Sequence, residues 1–207
     1  MEAAFCALYL ARRNCCAETA MLQLAIASLS RPGPSISSVL RYDVPNSALL
    51  CAATLLACFT GIVDPLIALF VGGSDVAAAG NAPFLSAAMQ LVVILVTAFA
   101  VYRVGTLFGG TGDLNGALKV SVWYGVVSII PSIAFLLFQA SGSAFAPIVQ
   151  FIVLIWMLYT LSSFVQVLHG FESLFMTALG VIGTSFVIGI VSVLVLSALG
   201  FIQPGNL

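Results

Sequence analysis

Charge is what this sequence has least of. Among 207 residues only six are basic and seven acidic, with a single histidine and two tryptophans, whereas a soluble domain carries roughly a quarter charged residues. A net charge of −1 gives no electrostatic field to attract nucleic acid or an acidic substrate. The sequence therefore points away from a nucleic-acid partner. Cysteine pairing is also unsupported. The five cysteines include no CxxC, and no histidine lies at ligand spacing from them, so neither a zinc site nor a redox pair is expected. Cys6, Cys15 and Cys16 fall in the N-terminal tail and Cys51 and Cys58 in an apolar run, where they read as small packed thiols.

What remains is apolar: 62% hydrophobic residues and a mean hydropathy of +1.21. Stretches of this kind satisfy their own backbone polarity in lipid by forming helices. The expected fold is all-α, a polytopic membrane helical bundle with five transmembrane helices. The spans are placed at about 46–69, 84–102, 117–138, 147–168 and 174–199, each close to the ~20 residues that cross a bilayer. Residues 46–202 form the membrane domain and 1–45 a tail. Glu2 precedes the first apolar stretch and Arg12-Arg13 follow it, the reverse of a secretory signal. Met21 begins a more coherent segment than Met1, so 1–20 read as a candidate start-site extension.

Local signals mark the boundaries. Leu22, Ala25, Ile26 and Leu29 share one helical face, as do Ile36, Val39 and Leu40. Both runs are too short to span and read as amphipathic helices on the membrane surface. Asp43-Val44-Pro45-Asn46 is a cap-and-proline start for the first span. The loop from Gly72 to Pro83 separates the first two spans, and Arg103 marks the end of the second. Asp113 is the expected N-cap of the third, and Pro131 should kink that span, with Ser128 or a neighbouring helix satisfying the freed carbonyl. Ser141-Gly142-Ser143 leads into the fourth span, whose Pro147 sits in its first turn, and Gly200 with Pro204-Gly205 stops the fifth. With the N-terminus in the cytoplasm, Arg12, Arg13, Arg31, Arg41, Arg103 and Lys119, every basic residue, lie on the cytoplasmic side.

Few residues invite chemistry. The glycine-rich loop 105–113 lacks the Gly-Lys-Ser/Thr ending of a phosphate loop and follows no strand, and Asn115 stands where a dinucleotide fingerprint from Gly110 would require glycine. It reads as a turn, with Arg41, Arg103 and Lys119 as candidate lipid-headgroup contacts. Asp64 is the one carboxylate inside an expected span. Its position ~27 Å along the helix, near the far interface, suits a cap for a helix restarted at Pro65, or an ion site. Tyr159, Ser162, Ser163 and Gln166 form a polar stripe on the fourth span, suited to bonding neighbouring helices or to lining a small cavity. Gly180 and Gly183, and Ser185 with Gly189, offer small faces for helix approach, within this bundle before any partner. His169 lies near Glu172 but has no second base, nucleophile or metal ligand beside it. No catalytic constellation can be assembled and no cofactor is expected. The sequence predicts a non-enzymatic membrane protein, a scaffold or accessory subunit working through helix–helix and lipid contacts. The alternative is a small-solute or ion conduit using Asp64 and the fourth-span stripe. The expected partners are the lipid bilayer and, beyond it, further copies or other membrane proteins.

Two local patterns carry a family resemblance. One is Gly105-Thr106-Leu107-Phe108-Gly109-Gly110-Thr111-Gly112, continuing through Gly116-Ala117-Leu118 into a span with Trp123-Tyr124 and Pro131. The other is Trp156-Met157-Leu158 leading to His169-Gly170-Phe171. From about Met21 to Ile202 the chain resembles the Yip domain family, multi-span membrane proteins named for interaction with Ypt/Rab GTPases, and specifically its bacterial members. The resemblance implies a five-span bundle with a cytoplasmic N-terminus in a bacterial inner membrane. The eukaryotic relatives are similar in carrying an Asp-Leu-Tyr-Gly-Pro type motif at the first span. This chain lacks it, Asp64-Pro65 lying at the wrong end of that helix, so the resemblance does not extend to Rab binding.

Overall fold

The computed structural model describes residues 23–71, 83–140 and 145–198, and among them the only regular structure is helix. We label the elements α1 (23–30), α2 (Pro32–Arg41), α3 (Asn46–Val71), α4 (Pro83–Leu107), α5 (Leu114–Ala140), α6 (Ala146–His169) and α7 (Leu174–Ala198). The last five are long and apolar enough to cross a membrane. The tail through Leu22, the loop residues 72–82, Ser141-Gly142-Ser143, and the Gly200 and Pro204-Gly205 stop lie outside the described residues, and with the tail Cys6, Cys15 and Cys16.

Each span is held by a narrow seam of small and branched side chains while its remaining surface stays apolar and open to lipid. Ala53, Leu56 and Ala57 of α3 pack with Ile94 of α4, and Leu49, Ala98 and Leu118 join α3, α4 and α5. At Gly61 α3 and α4 approach closely, since a Cβ there would lie 2.7 Å from the backbone of Ala87. Outside the seams, Phe59, Phe99, Phe151, Phe175 and Phe186 are exposed, as expected where the solvent is hydrocarbon and not water. α7 is the most peripheral span, packed mainly on α6, with 11% of its apolar window buried against 28% for α6.

The two short helices do not stand apart from the bundle. Arg31 interrupts them, with Pro32 in the first turn of α2, where a missing N–H is harmless. The bend brings Ser28 Oγ within 2.8 Å of Ser35 Oγ. This arm lies against α5 and α6. Ile36 is fully buried with Val120 and Phe164, Trp123 Nε1 donates to Ser28 Oγ (3.1 Å) and Trp156 Nε1 donates to the Leu29 carbonyl (3.1 Å). Trp156 precedes His169 by thirteen residues, ~20 Å of helix, so the arm runs well along the bundle from the His169 end.

Several boundaries differ from expectation. α4 continues five residues beyond Tyr102 to Leu107, taking Gly105 into the helix. Gly109, at φ +82°, then ends it: Gly109 N–H donates to the Thr106 carbonyl and Gly110 N–H to the Gly105 carbonyl (2.8 Å), the paired closure that a left-handed glycine allows. α3 is one helix through Asp64-Pro65, not one restarted there. α5 runs through Pro131, and Ser128 Oγ donates to the Gly125 carbonyl (2.8 Å) and not to that of Val127, which the proline frees. Asp113 does cap α5, its Oδ1 accepting from Gly116 N–H (3.0 Å), and Pro147 does fall in the first turn of α6.

Candidate functional site

The densest polar network sits where α4, α5 and α6 end together, and it is built around His169. α6 stops because Gly170 takes φ +70°, with its N–H and that of Phe171 turning back to the Gln166 carbonyl. That closure leaves the His169 ring, 2% exposed, under the loop that follows α4. Gly112 N–H donates to Nδ1 (3.2 Å) and Nε2 lies 3.1 Å from the Val101 carbonyl. Because Nδ1 accepts, the proton resides on Nε2, which donates to Val101; the ring is a neutral crossbrace between two elements. Phe171 stacks on it at 5.4 Å, and the His169 carbonyl accepts from Thr111 N–H (3.3 Å). Its neighbours are thus Val101, Gly112 and Phe171 rather than Glu172, whose side chain is exposed.

Three glycines of this region make room for the ring. A Cβ at Gly105 would land on the imidazole, one at Gly110 would stand 2.5 Å from Nδ1, and one at Gly112 2.8 Å from the ring; at Gly116 it would meet Leu168 at 2.5 Å. The loop reads as a packed turn and carries no phosphate-binding geometry.

On the same end of the bundle α5 secures the lead-in to α3. Asn115 Nδ2 donates to Asn46 Oδ1 (2.6 Å) and to the Val44 carbonyl (3.3 Å). One turn on, Lys119 Nζ donates to the Tyr42 carbonyl (2.8 Å). Tyr42 is the C-cap of α2, so the ammonium meets the negative end of that helix dipole. Lys119 is 8% exposed, which corrects its expected place at a lipid headgroup. Arg41 and Arg103 are exposed, the latter with its guanidinium 5.6 Å from the Phe99 ring centre.

The fourth-span stripe does not gather into one site. Ser162 and Ser163 are buried, but each hydroxyl donates to a carbonyl of its own helix, Leu158 and Tyr159 respectively. Tyr159 is exposed and Gln166 reaches the Glu172 carbonyl at 3.4 Å. Asp64 lies in α3, with its side chain outside the described set. Two small faces of α7 are open: among the described residues, a Cβ at Gly180 or Gly183 on one side, or at Gly189 on the other, would meet nothing within 4 Å, and Ser185, on the Gly189 side, is exposed. None of the described residues packs against these glycines. No cluster of three or more metal-ligating side chains occurs among the described residues.

The Yip1 domain profile matches residues 26–196, nearly the whole described bundle. The chain belongs to the Yip1 domain family. No curated protein and no solved structure matches it significantly. Membership fits the architecture, an integral multi-pass membrane protein, in which the 105–112 loop and the His169-Gly170 turn meet in space. Sequence reasoning missed the partnership of His169 with Gly105, Gly110 and Gly112, which no local spacing encodes. It also missed Asn115, although Asn115 and Lys119 stand at i, i+4 on one helical face.

Proposed function

We propose that this Yip1 domain protein is a non-catalytic scaffold or accessory subunit of a bacterial inner membrane, acting through helix–helix and lipid contacts. The reading rests on the two open small faces of α7. Gly180 with Gly183 on one side, and Ser185 with Gly189 on the opposite side, leave room for other helices to approach closely, and none of the described residues fills either at the glycines. Small residues at helical spacing are the usual means of close helix association in lipid. The occupant is a transmembrane helix, from a second copy or another membrane protein.

The His169 end is placed in the cytoplasm, consistent with Arg41, Arg103 and Lys119 all lying there. Arg41 and Arg103 remain free to meet anionic headgroups. The conduit alternative draws no support from the fourth-span stripe, because Ser162 and Ser163 are satisfied by their own helix. Single cysteines at 180, 183, 185 and 189, oxidised in native membranes after all five native cysteines are replaced, test the proposal. Intermolecular adducts at these positions, and none at Val181, which is buried in the bundle, are expected. A scan without any intermolecular product contradicts it.

A further inference from the structure

Apart from the His169 network, α3, α4 and α5 enclose a cavity of about 260 Å³, closed on one side by Met157 of α6. Six polar side chains in its wall form a ladder: Thr60 from α3, Gln90 and Thr97 from α4, and Tyr124, Ser128 and Ser132 from α5. The span ends nearest His169 are Asn46, Leu107 and Leu114, held level by the Asn115–Asn46 bond and the short loop between α4 and α5. Counted from those ends at ~1.5 Å per residue, Thr97 and Tyr124 stand at ~15 Å, Thr60 and Ser128 at ~21 Å, and Gln90 and Ser132 at ~26 Å. All three rungs fall inside a hydrocarbon core ~30 Å thick.

Each rung keeps hydrogen-bonding capacity that the bundle does not use. Thr60 and Ser128 donate their hydroxyl protons to the carbonyls of Leu56 and Gly125 and retain lone pairs to accept with. No described residue bonds the side chains of Gln90, Thr97, Tyr124 or Ser132. Their polar atoms also stay open to contact, unlike Ser121 Oγ and Thr160 Oγ1, which are sealed. A polar group at this depth costs free energy unless something pairs with it.

Two occupants compete for the space. Phe59 and Val93 are exposed on the lipid-facing surface and belong to the wall, so an acyl chain could enter from the side, but it would leave every rung unpaired. Water would pair them all. Apolar cavities stay dry, whereas a polar one with room beyond the ~10–15 Å³ that a water needs is hydrated when each water finds about two to four partners. The axial steps of ~5–6 Å match two hydrogen bonds of ~2.8 Å, so a single water joins one rung to the next. Gln90 lies seven residues from Pro83, ~10 Å of helix, which is the shortest way from the ladder to the aqueous phase. A charged neighbour would be hydrated as readily as a neutral one, so Asp64, one turn beyond Thr60 with its side chain outside the described set, does not decide between the two.

We infer that the crevice between the first three spans is a water site, a short hydrogen-bonded chain of water held at membrane depth and exchanging with the aqueous phase. This site goes beyond the scaffold reading and is independent of α7.

The test is water-edited solid-state NMR on the full, isotope-labelled chain in phosphatidylcholine bilayers, with a parallel experiment edited on the acyl-chain protons. Signal transferred from water should build up at Thr60, Thr97, Ser128 and Ser132 several times faster than at Leu55 and Val96, which are exposed to lipid at similar depth. Thr184 is the hydroxyl control, since it lies at similar depth on α7 and donates to its own helix at Gly180; it too should build up slowly. Ser132→Phe, which fills the far rung, should bring Thr97 and Ser128 down to the rate of Thr184. If that variant fails to fold, Gln90→Leu, which removes a polar rung without adding bulk, should slow Ser128 and Ser132. Cavity residues that gain signal from water no faster than Thr184 and Val96 overturn the inference, and faster gain from acyl-chain protons there identifies lipid as the occupant. Rates unchanged in every variant that folds would put the water outside the cavity and overturn it as well. None of these results bears on the cysteine scan of α7.

Discussion

The glycines of the 105–116 region and those of α7 have the same chemistry and opposite surroundings. In the first region a Cβ at Gly105, Gly110, Gly112 or Gly116 would strike His169 or Leu168; in the second, Gly180, Gly183 and Gly189 face open space. The first set lets three helix ends close around one imidazole, so its smallness serves the fold of this chain. The second set lies on two sides of α7 that no described residue packs into at the glycines, so its smallness leaves space for the helix–helix contacts proposed above. A glycine count treats the two alike. The neighbours separate them.

That contrast sets the order of expected effects. Gly105→Ala should be the most damaging single change, because the new methyl occupies the ring's position and displaces His169 from Val101. A loss of about 3 kcal/mol, typical of severe overpacking, should appear in denaturant unfolding of the detergent-solubilised protein. His169→Ala removes two hydrogen bonds and leaves a void, and should cost about 2 kcal/mol; hydrogen exchange should then rise at Gly112 and Thr111, whose amides donate to that residue. Asn115→Ala should cost about 1 kcal/mol, with the gain in exchange confined to the lead-in before α3 and not spread through the loop. Gly183→Ala should change unfolding by less than about 0.5 kcal/mol yet reduce intermolecular crosslinking along α7. If Gly183→Ala destabilises the isolated chain as Gly105→Ala does, the distinction between the two regions fails.

Hydropathy made the spans legible because an apolar run of ~20 residues has few structural alternatives in lipid. The ends were less legible. Tyr102-Arg103 looked like the end of a span, and Gly105 like the start of a loop, yet α4 extends to Leu107. A glycine that breaks a helix and one that lets another element press against it are the same letter. What tells them apart here is His169, 64 positions away. Lys119 misled for a related reason: a cation beside a span suggests headgroups, and only the fold reveals a buried carbonyl at Tyr42. The cavity wall was in principle readable. Ser121, Tyr124, Ser128 and Ser132 recur at three- and four-residue steps on α5, as clearly as the stripe on α6, but spacing alone does not say which stripe faces a void and which bonds its own backbone.

The account depends most on the closure of the loop around His169, and a double-mutant cycle between Gly105→Ala and His169→Ala measures it directly. Removing the ring should make room for the methyl, so the two losses should fall short of additive by roughly 2 kcal/mol, within the range for residues in contact. Losses that simply add would mean that Gly105 is small for some reason other than this histidine, and would contradict the account.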